Sequence, residues 1–143
     1  MAAKRVGYYE AGDVTSAPPL SGAEATLVNA AVVGIDVNGY VKPADFRASA
    51  GPVAARGFAT HGVRRVDTRG NVLGFEDRLA FTREGRVGNL FGLLPGASYY
   101  LYTGGTFQTT KPGATTGDLD QQVGWALTAT ELIIKIGEPV VHA

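Results

Sequence analysis

The sequence predicts an all-β domain, a compact glycine-rich sandwich or barrel-like fold with little helix, which follows an extended N-terminal arm. Three observations predict it. The 143 residues include 20 glycines, and these glycines separate short runs rich in Val, Phe, Tyr and Thr. Short apolar runs that alternate with turn residues are typical of many short strands. Nowhere do apolar residues keep the spacing i, i+3, i+4, i+7 over a dozen positions, so we expect no long helix.

The first twenty residues differ in composition from the rest, and we interpret residues 1–20 as the arm and residues 21–143 as the β-rich domain. This segment contains two glycines and two prolines and shows no continuous alternation, and proline cannot donate to a strand ladder. Val6, Tyr8 and Tyr9 are apolar residues that a solvated tail rarely keeps, so they are candidate contacts to a partner or a neighbouring subunit. An ordinary frayed terminus is the alternative.

The remaining chain divides into strands and turns. The clearest hairpin joins Val32–Val37 to Tyr40–Lys42 through Asn38-Gly39, a pair that favours a type I′ turn. A final hairpin joins Val123–Leu127 to Leu132–Ile136, and its period-two alternation places Val123, Trp125 and Leu127 on one buried face. Other strands are expected at Val53–Thr60, Val63–Asp67, Val72–Phe75, Leu79–Thr82, Arg86–Phe91, Tyr99–Tyr102 and Thr106–Thr110.

The charges exclude some functions and leave others open. Thirteen basic and thirteen acidic residues cancel, which argues against a general nucleic-acid binder, because phosphate neutralisation needs excess positive charge. The segment from Arg56 to Arg86 is rich in arginine, whereas acidic residues dominate from Lys111 onward. This separation indicates either complementary faces between subunits or scatter over a solvated surface.

No motif of catalytic chemistry occurs in the sequence. Cysteine is absent, and neither a phosphate-binding glycine loop nor a nucleophile elbow is present. His61 and His142 are isolated from each other, Glu76-Asp77 resembles an ion-paired loop, and Asp118-x-Asp120 lacks the other ligands of a calcium loop. We therefore expect no enzyme, no catalytic residue, no cofactor and no metal, and alanine at His61, Glu76 or Asp77 should leave function intact.

Membrane insertion and secretion are not expected either. No apolar run approaches the roughly 20 residues that span a bilayer, and the first residues lack the apolar core of a secretion signal. We expect synthesis in a host cytoplasm.

Two segments of the last third resemble a module of bacteriophage structural proteins. The first is Gly92-Leu93-Leu94-Pro95-Gly96-Ala97-Ser98-Tyr99-Tyr100-Leu101, followed by Gly104-Gly105. The second is Val123-Gly124-Trp125-Ala126-Leu127-Thr128-Ala129-Thr130-Glu131-Leu132. Head decoration proteins of tailed phages, which cement the capsid, contain a similar module, and some tail-fibre proteins do as well. Upstream, the resemblance is one of length and style.

The resemblance to decoration proteins implies a structural virion protein that binds the outer surface of the expanded capsid and stabilises it against internal pressure. It further implies the major capsid protein as partner, a homotrimer, and an arm that reaches the shell or a neighbour. Few labile residues and nine Arg against four Lys favour a thermostable protein of a thermophilic tailed phage. The alternative function is a tail-fibre or baseplate binding module, although no fibre stem is present.

Overall fold

Short antiparallel strands make up almost all of the regular structure. The computed structural model describes residues 10–11, 14–20, 27, 30–60, 64–75 and 78–143. Within these residues there is one 3₁₀ turn, Ala48–Ala50, and there are fifteen strands. The strands are β1 (Glu10–Ala11), β2 (Val14–Ala17), β3 (Val32–Ile35), β4 (Val41–Pro43), β5 (Gly57–Ala59), β6 (Arg64–Val66), β7 (Val72–Phe75), β8 (Leu79–Thr82), β9 (Glu84–Val87), β10 (Ser98–Leu101), β11 (Phe107–Gln108), β12 (Leu119–Asp120), β13 (Gln122–Ala126), β14 (Leu132–Lys135) and β15 (Val140–Val141).

Two larger sheets form a sandwich, which confirms the predicted all-β class. The six-stranded sheet has the order β1-β9-β14-β13-β10-β11, and the five-stranded sheet has the order β2-β8-β5-β3-β4. Two small sheets, β12-β15 and β6-β7, flank them. Val32 and Phe58 of the five-stranded sheet pack in one buried cluster with Val87, Val123 and Leu132 of the six-stranded sheet. This cluster is the core between the two layers.

The five-stranded sheet is buried on its second face as well. Neighbouring residues of a strand point to opposite faces, and Val33 and Ala59 accordingly join a separate cluster with Leu27, Leu79 and Phe81. Strands buried on both faces show continuous apolar runs rather than alternation, as in the Val32-Val33 pair.

The chain passes from the five-stranded to the six-stranded sheet at a corner between β8 and β9. The predicted strands Leu79–Thr82 and Arg86–Phe91 leave residues 83–85 between them, but β9 begins at Glu84 and pairs with β14 and β1 rather than with β8. The buried Thr82 hydroxyl donates to the carbonyl of Glu84 at 2.7 Å, which fixes the corner. Arg83 lies at this corner between the two sheets and is exposed.

The predicted hairpin over residues 32–42 is present, but its turn is of another type. Of the two central residues only Gly39 has a positive φ, 86°, and its N–H donates to the Asp36 carbonyl at 3.0 Å. This is a type I turn completed by a left-handed glycine. The Asp36 carboxylate stabilises it by accepting from the N–H groups of Asn38 and Tyr40, both at 2.9 Å.

A second hairpin repeats this turn. In the β6–β7 connection, Gly70 donates to the Asp67 carbonyl at 3.1 Å with φ 85°. The Asp67 carboxylate accepts from the N–H groups of Arg69 and Asn71 at 2.8 and 2.9 Å. Both turns share the pattern Asp-x-x-Gly, in which aspartate supplies the acceptor and glycine the positive φ.

The expected arm does not reach residue 20. Val14–Ala17 pairs with the edge of the five-stranded sheet through β8, and Glu10–Ala11 pairs with β9 of the six-stranded sheet. Pro19 then forms a parallel bridge with Val41 of β4, the strand at the other edge of the same sheet. The boundary at residue 20 is therefore wrong for residues 10–11 and 14–20, while Val6, Tyr8 and Tyr9 lie outside the described residues.

The predicted core face of the last hairpin is also corrected. Tyr99 pairs with Gly124 but Tyr100 pairs with Gln122, so Val123 is an extra residue in β13, a β-bulge. The bulge resets the alternation: Val123 and Ala126 are fully buried, Trp125 is half-buried, and Leu127 is 41% exposed. Gly124 suits this position, since a Cβ there would lie 2.4 Å from the Ile133 carbonyl oxygen.

Deletion of residues 1–18 should destabilise the domain, because it removes β1 and β2 and leaves β8 unpaired on one side. We expect the melting temperature to fall by at least about 5 °C, given that each kcal/mol is worth roughly 3–4 °C at this chain size. Calorimetry of the truncated and full-length chains measures the difference. An unchanged melting temperature would restore the arm interpretation for the whole segment.

Alanine substitutions should distinguish the buried position Val123 in β13 from the exposed position Leu127 just after this strand. Val123→Ala should cost about 2 kcal/mol because it opens a cavity in the core, whereas Leu127→Ala should cost less than about 0.5 kcal/mol at an exposed site. Urea unfolding of both variants measures these free energies. Equal losses of unfolding free energy in the two variants would mean that the Leu127 side chain is buried.

Candidate functional site

Three polar clusters hold the loops of the sandwich, and the first is centred on Asp118. Its Oδ1 accepts from the N–H of Ala48 at 2.8 Å, and its Oδ2 accepts from the N–H groups of Ala114 and Thr115 at 3.1 and 2.9 Å. These three N–H donors, with His142 as a further positive influence, hold the pKa of Asp118 below its usual value. The carboxylate thus joins the 3₁₀ turn to the loop before β12.

The same cluster attaches the last strand. The Nε2 of His142 hydrogen-bonds to Oδ2 of Asp120, and the backbone N–H of His142 donates to the Asp118 carbonyl at 2.9 Å. Gly113 donates to Oδ1 of Asp120 at 3.1 Å. The structure thus brings His142 and Asp118-x-Asp120 together, which the sequence did not predict, and uses them to hold strand β15.

The second cluster surrounds Asp45. Burial opposes ionisation of its carboxyl group, but the bidentate Arg47 guanidinium, at 3.0 and 2.8 Å, and the N–H of Gly104, at 3.0 Å, outweigh burial and lower its pKa. Asp45 therefore ties the segment after β4 to the turn between β10 and β11.

The third cluster is the buried side chain of Gln121. Its Oε1 accepts from the N–H of Ala55 at 2.7 Å, and its Nε2 donates to the carbonyls of Ala55 and Gly137 at 3.0 and 2.9 Å. One amide thus connects two loops on opposite sides of β13 and leaves no donor of its own unused.

These clusters do not converge on a shared cavity. No group of three or more His, Asp or Glu side chains that could hold a metal ion occurs within the described residues. Within the same residues, no helix is long and apolar enough to cross a membrane. His61, Glu76 and Asp77 lie outside the described part of the chain.

An exposed apolar surface lies at one end of the sandwich. Loop 88–97 is hydrogen-bonded along the turn between β13 and β14: Leu93 donates to Ala129 at 3.0 Å and Gly96 donates to Ala126 at 2.7 Å. On this surface Phe91, Leu94 and Leu127 are 85%, 59% and 41% exposed. We refer to these three side chains as the apolar tip.

The loop that carries the apolar tip is rigidly anchored. The side chain of Leu93 is buried in the core, and the hydroxyl of the buried Tyr99 accepts from the N–H of Leu94 at 2.9 Å. Fixed loops present their side chains at a low entropic cost of binding.

Sequence reasoning missed Phe91 and Leu94 as surface residues and assigned Leu127 to the core. The sequence feature that indicates an exposed loop here is the turn Gly92-Leu93-Leu94-Pro95-Gly96. Between its two left-handed glycines, with φ of 73° and 83°, Leu93 is buried and Leu94 is exposed.

Comparison with known proteins adds no assignment. No protein-family model matches the chain, and no curated protein matches it.

The Asp118 cluster should make stability depend on pH. Because folding lowers the pKa of Asp118, the ionised carboxylate stabilises the fold above the unfolded value of about 4, and this contribution is lost as the pH falls through the folded pKa. Asp118→Asn should lower the melting temperature at pH 7, and the difference from wild type should shrink below pH of about 4.

Asp36→Asn is the matched control, because its carboxylate also accepts two N–H groups but only within one exposed turn. It should lower the melting temperature less than Asp118→Asn does. Equal effects at pH 7, measured by thermal unfolding, would show that the long-range contact to Ala48 is unimportant.

Proposed function

We propose that this chain is a structural protein of a bacteriophage virion that binds the outer surface of the expanded capsid and stabilises it. The observation that carries the proposal is the apolar tip. The two segments that resemble phage decoration proteins, residues 92–101 and 123–132, form one hydrogen-bonded unit that presents exposed Leu94 and Leu127, and exposed Phe91 immediately precedes it. In this proposal the partner is the major capsid protein and the binding unit is a homotrimer.

The binding free energy that one apolar tip can contribute suits a protein that is present in many copies. Burying a Phe or Leu side chain contributes roughly 1.5–3 kcal/mol, so one tip alone gives a modest affinity after association costs. Several tips in one oligomer bind with much greater avidity. A protein that binds only the expanded shell stabilises that shell by mass action.

The polar clusters support a mechanical role. Asp45, Asp118 and Gln121 each hydrogen-bond to at least one backbone group of a distant loop. Such side chains hold a shape, and a stable shape is what a capsid cement requires.

The test is sedimentation with expanded capsids that lack the protein. Replacing Phe91, Leu94 and Leu127 together by Ser should weaken attachment at least about tenfold, since a tenfold change corresponds to only about 1.4 kcal/mol in total. The melting temperature of the free protein should stay nearly constant, because all three side chains are exposed. Light scattering should give about three chain masses for the binding unit.

Val37→Ser is the matched control, because Val37 is fully exposed, at 101%, in a separate hairpin turn. It should bind capsids like wild type. Undiminished binding of the triple variant would remove the tip from the interface, and binding to tail fibres instead of heads would favour the tail module.

A further inference from the structure

A groove with basic side chains lies at the end of the molecule opposite the apolar tip. Strands β9 and β14 run side by side. At one end of this pair lie Val87 and Leu132, next to the loops that form the apolar tip. At the other end lie Glu84 and Lys135. Two depressions of about 270 and 400 Å³ lie there and share Arg83 and Ile136. We refer to both together as the basic groove.

The walls of the groove are fixed in place. One wall is the loop through Ala55 and Arg56, and the other is the segment through Gly137 and Glu138. The Gln121 side chain lines the groove and hydrogen-bonds to both walls. The N–H of Arg56 also donates to the Val33 carbonyl at 2.7 Å. A preformed groove loses little entropy when it binds a ligand.

Two guanidinium groups of the groove form no ion pair with the carboxylates of the described residues. Arg47 pairs with Asp45, and Arg86 pairs with Glu131. Arg56 and Arg83, in contrast, are exposed, and neither lies within 4.0 Å of a carboxylate of the described residues. Guanidinium groups bind carboxylates bidentately, which gives strong and directional pairs.

We propose that the basic groove binds an extended acidic peptide segment. Carboxylates of the segment pair with Arg56 and Arg83, and an apolar side chain of the segment packs on Ile136 and Pro139, which also line the groove. Glu84 and Glu138 also line the depressions, so the basic side chains do not form a continuous row, which suits separated carboxylates and opposes a continuous phosphate chain. The inference does not depend on the proposed function, because groove and tip occupy opposite ends of β9 and β14.

Fluorescence anisotropy of the full chain with a labelled octapeptide of alternating glutamate and leucine tests the groove. We expect saturable binding that weakens as salt is raised. The double variant Arg56→Glu with Arg83→Glu should weaken binding at least about tenfold, and the neutral pair Arg56→Gln with Arg83→Gln should weaken it less. An octapeptide with glutamine in place of glutamate should not bind.

Arg69→Glu is the matched control, because Arg69 is exposed in the β6–β7 turn and undergoes the same change of charge. It should bind the acidic peptide like wild type. Equal weakening by Arg69→Glu, equal binding of the glutamine peptide, or no binding at a peptide concentration of 1 mM, about the weakest affinity a specific site would show, would each overturn the proposal. Unchanged melting temperatures of the variants exclude unfolding as the cause.

Discussion

Backbone hydrogen bonding outside the ladders is the constraint on which the rest of this structure depends. Strands of two to five residues leave long loops between them, and buried backbone polar groups must find partners. Asp45, Asp118 and Gln121 supply these partners across 59 to 70 residues of sequence. Each side chain thereby fixes a loop that no ladder could reach. Gln121 fixes the groove walls in this way, and the Tyr99 hydroxyl fixes the loop of the tip.

The need to satisfy backbone groups outside the ladders also determines which charged side chains remain available to a partner. In the sequence, the acidic residues after Lys111 suggest a face complementary to the basic segment. In the structure, Asp118 accepts backbone N–H groups, Asp120 pairs with His142, and Glu131 pairs with Arg86. These carboxylates act within the chain, so they do not form a free acidic face. Arg56 and Arg83 belong to the basic segment and stay exposed, which is why recognition of a separate acidic partner follows from the structure and not from the composition.

Turns that neighbouring residues encode could be predicted from the sequence, whereas contacts between distant segments could not. Asp36 and Gly39 encode their turn within four residues, so the β3–β4 hairpin was predictable, although its turn type depended on the Asp36 carboxylate. No local sequence pattern predicts that Val14–Ala17 pairs with β8. Two prolines follow this strand, and a segment of this kind is interpreted as an extended arm unless its partner strand is known. The bulge at Val123 was hidden for a related reason: one extra residue reverses the alternation of every residue beyond it, and only pairing with Tyr99 and Tyr100 reveals it.

The distance between tip and groove shows how the two surfaces can work together. Four residues of β9 separate them, about 13 Å at the usual rise of a strand. A partner bound at the tip therefore leaves the groove open, and an acidic segment bound at Arg56 and Arg83 does not cover Phe91, Leu94 or Leu127. Both surfaces are also tied to one core, since Val87, Leu132 and Ile134 of these strands are buried in it. A subunit that sits on a surface by its apolar end can thus hold a second acidic chain at its other end, and neither binding event requires the sandwich to rearrange.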